Sequence, residues 1–178
     1  MKKTFFTGLA AAVLAVALTA PGAWAGEMAA GKTDAKAAFE KLKGLAGEWS
    51  GNTAEGMAVP LSYKVTGNGS VVMETMFAGS EHEMINMYHL VGNDLVATHY
   101  CSAGNQPHLK LDPEKSTPTE LVFAFDGGTN FDPAKDNHIH GARIAIPGDG
   151  KLNEEWTFWG GGQEKGVHKF QAARAARK

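Results

Sequence analysis

Cysteine is almost absent from this sequence. Cys101 is the single cysteine in 178 residues, so no internal disulfide can form. A domain without disulfides must be held together by its hydrophobic core, and a chain of this length can bury about two thirds of its unfolded surface. Hydrophobic residues make up 43% of the chain and aromatic residues 9%, as in ordinary globular domains. A disulfide-stapled miniprotein and a disordered chain are both excluded.

An excess of positive charge is absent as well. Lysine and arginine together number 17 against 19 acidic residues, which gives a net charge of −2 at pH 7. Nucleic-acid binding depends on a basic surface that attracts phosphate groups. We therefore expect no nucleic-acid partner, and the length predicts one folded domain.

The only long apolar run lies at the N-terminus. Two lysines precede the apolar segment 5–20, and Ala23-Trp24-Ala25 follows it. This layout is typical of a bacterial secretory signal peptide, and the run is shorter than the roughly 20 residues that a membrane-spanning helix needs. The sequence therefore predicts removal of residues 1–25, a periplasmic or secreted product, and no stable membrane anchor.

The remaining chain is predicted to form a linker, residues 26–33, and one domain, residues 34–178. Asp34 is a good N-cap residue, and apolar residues recur after it at helical spacing as far as Leu45. Glycines follow at once. The pattern predicts a short helix at the start of the domain.

After this helix, short segments of strand composition alternate with turns rich in glycine, asparagine, aspartate and proline. Ten consecutive strands without a covering helix would leave unpaired edges in an open sheet, and closure into a barrel removes those edges. The sequence predicts an all-β fold, a closed antiparallel up-and-down barrel of about ten strands. The strands are expected near residues 48–54, 57–66, 70–77, 82–91, 94–101, 107–112, 120–126, 137–146, 151–159 and 166–172.

Gly47-Glu48-Trp49, at the start of the first strand and just after the short helix, resembles the G-x-W signature of lipocalins and the wider calycin group. The resemblance implies a calycin-like barrel in which Trp49 plugs one end beneath the N-terminal helix. The haem-ligand segment of nitrobindin-like barrels has no clear counterpart here, although His168 lies in that region. Further stretches resemble an uncharacterised bacterial family of exported lipocalin-like proteins, a domain of unknown function: Glu74–Phe77, His82–Met84, Met87–His89, Thr98–Cys101 and Gly104–Pro107.

The hairpin around Gly92-Asn93-Asp94 predicts a binding surface. With an even-length loop, even-numbered residues of its first strand share a face with odd-numbered residues of its second, whereas an odd-length loop would turn His89 and Tyr100 inward. The face is mostly apolar with a few polar groups, which is typical of small-molecule pockets. The predicted ligand-binding residues are His82, Asn86, Tyr88, His99 and Cys101 on this face, and Asn105 and Gln106 in the loop that follows.

These patterns predict a barrel that holds a small, largely apolar molecule in its interior, with no cofactor. One alternative is a metal- or haem-binding barrel that uses His99, Cys101 and other histidines, because His99 and Cys101 point the same way on a strand. His138 and His140 form a second pair on one face. The ligand's identity and the oligomeric state are not predicted.

A barrel enzyme is the second alternative, with His82, Glu83 or His99 as acid and base. No G-x-S-x-G elbow is present to position a nucleophile, and the sequence predicts no specific catalytic residue. Glu154 and Glu155 cannot act as a pair, because adjacent residues of a strand point to opposite faces.

Overall fold

The computed structural model describes residues 33–176. The predicted signal peptide, residues 1–25, and all of the predicted linker except Thr33 lie outside the described residues. Within them, no helix is long and apolar enough to cross a membrane. The elements are α1 Ala35–Gly44, β1 Gly47–Thr53, β2 Ala58–Thr66, a 3-10 turn Gly67–Gly69, β3 Val71–Met76, β4 Met84–Val91, β5 Asp94–Tyr100, β6 Gln106–Leu111, β7 Glu120–Thr129, β8 His138–Gly148, β9 Lys151–Gly160 and β10 Gln163–Arg174.

The helix begins where the sequence predicts. The Asp34 carboxylate accepts a hydrogen bond of 2.7 Å from the backbone N–H of Ala37, which satisfies one of the free donors at the helix N-terminus. Lys41 and Lys43 lie in the last turn, where positive charge suits the helix dipole. The apolar face of α1 packs at one end of the sheet, against β2, β4 and β5.

All ten strands pair with their sequence neighbours in antiparallel fashion, and β1 also pairs with β10. The sheet therefore closes on itself. The predicted all-β, closed up-and-down barrel with a short N-terminal helix is confirmed, and each predicted strand corresponds to an observed one. The closed barrel is compatible with the calycin-like fold that the G-x-W resemblance implies.

Trp49 closes the end of the barrel beneath α1. Its side chain is only 3% exposed, and its indole N–H donates a hydrogen bond of 2.8 Å to the carbonyl of Leu45. The guanidinium of Arg174 lies 4.4 Å from the centre of the Trp49 ring and donates to the carbonyls of Gly44 and Ala46. One arginine on the last strand thus covers the plug and caps the C-terminal end of the helix.

Candidate ligand-binding site

The opposite end of the barrel contains a cavity of about 460 Å³. This volume lies within the usual range for small-molecule pockets, roughly 300–1,000 Å³. The cavity is lined by residues near the ends of β1, β3, β5 and β9, near the starts of β4 and β8 and in the middle of β10, together with the turn that joins β1 to β2. Most of its wall is apolar, and thioether and aromatic groups are prominent: Met57, Met76, Met84, Phe77, Phe158 and Phe170.

The three most deeply buried side chains that line the cavity, here called its floor, are Met76, His99 and Trp156. The rings of His99 and Trp156 lie 5.5 Å apart between centres, at an angle of 34°. His99 is 1% exposed, and burial lowers the pKa of its imidazole to about 4. The imidazole is therefore neutral at neutral pH.

The hydrogen bonds of Asn86 determine which nitrogen of His99 carries the proton. The amide N–H₂ of Asn86 faces two acceptors, Glu74 Oε2 at 3.0 Å and Met76 Sδ at 3.3 Å. Its carbonyl oxygen therefore faces His99 Nδ1, at 2.7 Å, and accepts a hydrogen bond from it. Because Nδ1 of the neutral ring holds the proton, Nε2 has a lone pair, and Nε2 has no hydrogen-bond partner among the described residues.

Behind this floor, two glutamates meet in the barrel interior. Glu74 on β3 is 0% exposed and Glu154 on β9 is 1% exposed. Tyr63 donates a hydrogen bond of 2.7 Å to Glu154 Oε1, and the indole of Trp156 donates one of 2.9 Å to Glu154 Oε2. Tyr88 donates one of 2.6 Å to Glu74 Oε2. The two carboxyl groups are thus surrounded by side-chain donors.

Burial affects the protonation of both carboxyl groups, and of Glu74 more than of Glu154. Burial raises the pKa of Glu74 well above its ordinary value, and the charge of Glu154 and a hydrogen bond to it raise this pKa further. Burial also raises the pKa of Glu154, but its bonds from Tyr63, Trp156 and Glu74 act in the other direction. Glu74 Oε2 accepts two bonds, and Oε1 has no hydrogen-bond partner among the described residues. Of the two carboxyl groups, Glu74 therefore has the stronger tendency to stay protonated.

The register of β4 and β5 confirms the predicted face. A two-residue turn joins the strands, and Asn86 lies opposite His99. His82, His99 and Cys101 line the cavity, with His82 exposed at the rim. Asn86 and Tyr88 point into the same interior but lie behind the floor, where they bind Glu74.

The other two predicted ligand-binding residues do not line this cavity. Asn105 donates a hydrogen bond of 2.7 Å to the carbonyl of Asn137, and the Gln106 side-chain oxygen accepts bonds from Thr129 and Asn130. Asn105 holds the loop before β6 against the segment between β7 and β8, and Gln106, the first residue of β6, contacts the end of β7. Their contacts are those of a structural loop connection.

The carboxyl pair was missed at the level of sequence, although part of its signal is visible there. Glu74 lies between Val72 and Met76, so it occupies the inward face of a strand whose neighbouring inward residues are apolar. Glu154 and Glu155 do point to opposite sides, as predicted: Glu154 is buried and Glu155 accepts an ion-pair contact from Lys169 outside. The partner of Glu154 is instead a residue of another strand.

The histidine pair at 138 and 140 is internally satisfied. His138 Nε2 and His140 Nδ1 are 2.9 Å apart, and His138 Nδ1 lies 3.0 Å from the carbonyl of Asp136. The ring of His140 stacks between Phe125 and Trp159, with centres 4.4 and 3.8 Å away. Within residues 33–176, no group of three or more histidine, cysteine or acidic side chains is arranged to hold a metal ion.

No protein-family model matches the chain, and no curated protein matches it by sequence. Function is therefore inferred from the cavity and from the groups that form its floor.

Proposed function

We propose that the barrel binds a small, largely apolar molecule in the cavity opposite α1. The observation that carries this proposal is a cavity of about 460 Å³ with apolar walls and a single unpaired buried polar atom on its floor, His99 Nε2. Sites for small molecules combine such walls with a few placed polar groups that orient the ligand. Burial of apolar surface would supply the affinity, and His99 the orientation.

The mouth of the cavity supports the same proposal. Met57 and Val167 line the cavity and are 56% and 40% exposed, so the mouth presents apolar surface to solvent. Methionine side chains are flexible and adapt to ligands of different shape. An apolar molecule that covers these two residues on entering would gain further burial.

We further propose that the protein works outside the cytoplasm, as an exported lipocalin-like barrel. The basic start, the apolar run and the small residues before Gly26 support this proposal. A carrier or storage protein for an apolar molecule would keep that molecule in solution in an aqueous compartment.

The single cysteine offers a direct test. Cys101 lines the cavity and is partly exposed, so a bulky maleimide attached there would fill the space that the ligand needs. Binding of the apolar fluorophore phenylnaphthylamine should saturate at one molecule per chain and disappear after Cys101 is labelled with benzylmaleimide. In the matched control, Cys101→Ser is combined with His89→Cys, which moves the thiol to the opposite face of β4 from Tyr88. Labelling of the control should leave binding unchanged.

Two results would overturn the proposal. The first is saturable binding that survives labelling of Cys101, because the ligand would then lie elsewhere. The second is a metal ion or haem in the native mass spectrum of the freshly purified protein, which would establish the metal- or haem-binding alternative. A bound organic molecule in that spectrum that labelling displaces would support the apolar-ligand site.

A further inference from the structure

We infer that the bound molecule carries an uncharged hydrogen-bond donor, a hydroxyl or N–H group, and presents it to His99 Nε2 at the floor of the cavity. The inference rests on the proposed function and adds the chemical class of the ligand. It follows from the chain of hydrogen bonds that leads from Glu74 through Asn86 to His99 at the cavity floor.

Two acceptors fix the orientation of the Asn86 amide. Glu74 Oε2 and Met76 Sδ both lie on the side of Asn86 Nδ2, and both are acceptors. Rotation of the amide by half a turn would place its oxygen against these two acceptors and lose both hydrogen bonds. The carboxyl pair thus holds Asn86 with its oxygen toward His99.

The orientation of Asn86 determines the tautomer of His99. Because the Asn86 oxygen can only accept, the 2.7 Å contact to Nδ1 requires the proton on Nδ1. Nε2 is then an acceptor and cannot donate. The low pKa of the buried ring means that Nε2 stays unprotonated at neutral pH, so the polarity of this contact does not reverse.

The unpaired Nε2 atom of His99 determines which ligand groups can bind at the floor. No donor among the described residues reaches this atom, although His99 is 1% exposed and lines the cavity floor. A group that fills the cavity and brings an O–H or N–H to the floor would complete the network. A ketone, an ether or a carboxylate would place a lone pair against a lone pair, and sites built for one partner discriminate strongly against its opposite.

Loss of hydration at the floor excludes charged hydrogen-bond donors. The floor consists of Met76, Trp156 and His99 itself, and an ammonium group placed there would lose its hydration in a cavity whose walls are mostly apolar. Glu55, His168 and Lys169 also line the cavity, but all three are exposed at the rim. These ionisable side chains therefore lie at the rim, and at the floor we expect a neutral hydrogen-bond donor.

Two isomeric ligands differ in whether they carry a hydrogen-bond donor. Decanol and methyl nonyl ether have the same atoms and nearly the same shape, but only decanol has a hydroxyl hydrogen. In calorimetric titrations of the full mature protein, decanol should bind roughly 5- to 150-fold more tightly, the usual value of one buried hydrogen bond to a ligand. Decanoate at neutral pH should bind more weakly than decanol, since its carboxylate can only accept.

The variant His99→Phe tests the assigned atom. Phenylalanine preserves an aromatic ring beside Trp156 but offers no lone pair, so the preference for decanol should disappear while affinity for the ether stays within about threefold, a small free-energy change. His89→Phe is the matched control, because His89 lies on the other face of the same hairpin. It should keep the preference.

A spectroscopic measurement on the unmodified protein keeps the inference testable if His99→Phe fails to fold. Nitrogen NMR spectra of the histidine side chains should show His99 with a protonated Nδ1 and an unprotonated Nε2. The Nε2 signal should shift on addition of decanol and not of the ether. A protonated Nε2, or identical shifts with both isomers, would overturn the inference.

Failure of the donor inference and failure of the proposed function give different results. Equal affinities for both isomers, or tighter binding of the ether, would overturn the donor inference and leave a binding cavity. Absence of binding for both isomers and for phenylnaphthylamine would overturn the proposed function, and the inference with it.

Discussion

Replacement of Glu74 by glutamine is expected to stabilise the barrel, and to do so increasingly as the pH rises. Burial and the nearby Glu154 charge raise the pKa of Glu74 in the folded protein well above the ordinary value of 4.5. In the unfolded chain the carboxyl group is ionised above that value. Folding therefore favours uptake of a proton above pH 4.5, so the stability that the neutral group contributes is complete below pH 4.5 and is lost as the pH rises toward the raised pKa.

The expected magnitude follows from one proton. Between the unfolded and the folded pKa, uptake of one proton on folding lowers the free energy of unfolding by about 1.4 kcal/mol for each pH unit. Glutamine at position 74 imitates the protonated carboxyl: its oxygen can accept from Tyr88 and Asn86, and its N–H₂ can donate to Glu154. Glutamine does not titrate, so the free energy of unfolding of the variant lacks this decrease with rising pH.

Other titrating groups cancel from the comparison. The pKa of His99 is lowered from 6.5 to about 4, which makes stability rise with pH over that interval, opposite in sign to Glu74. This contribution is present in both proteins. The quantity to measure is therefore the difference between variant and wild-type free energies of unfolding, from urea melts at several pH values between about 5.5 and 8.5.

Two control variants sharpen the measurement. Glu155→Gln changes the neighbouring residue, which points outward and contacts Lys169, and its effect should be small at every pH. Glu154→Gln places an N–H₂ group against the donors Tyr63 and Trp156, so it should destabilise the fold by about 1–3 kcal/mol. A difference between Glu74→Gln and wild type that stays constant across the pH series would refute a protonated Glu74.

Three further outcomes are expected. Trp49→Ala should lower the free energy of unfolding by roughly 3–5 kcal/mol, because the indole plugs the closed end of the barrel; a loss below about 1 kcal/mol in urea melts would contradict that role. N-terminal sequencing of the exported protein should begin at or near Gly26, and an intact Met1 or a permanent place in the membrane fraction would count against export. Addition of a chelator should leave the wild-type melting temperature unchanged, as expected where residues 33–176 bring no three ligating side chains together; a decrease that His99→Phe does not show would indicate a metal on His99.

The fold was predictable because its signals are local. Alternation of apolar and polar residues identifies strands such as Val71–Met76, and the turns between strands contain residues suited to tight reversals. The face shared by Asn86 and His99 follows from strand alternation and the length of one turn. Such inferences need only neighbouring segments of the chain.

The carboxyl pair was not predictable because it depends on the dimensions of the barrel. β3 and β9 are not neighbours in the sheet, so Glu74 and Glu154 meet only because strand tilt and stagger bring their levels together across the interior. The positions of Asn105 and Gln106 outside the cavity also depend on a detail of strand pairing. The register of β6 against β7 shifts between Pro107 and Leu109, and sequence alternation does not reveal such a shift.

Closure of the barrel through its first and last strands has a consequence for when the protein can load its ligand. Trp49 on β1 pairs with Arg174 on β10, and the cavity wall includes both Thr53 and Phe170. A growing chain therefore has no closed cavity until β10 has emerged, because closure needs contacts between the two described strands that are farthest apart in sequence. A chain threaded unfolded across a membrane could take up its ligand only on the far side. The compartment in which folding finishes would then decide which molecules the barrel meets first.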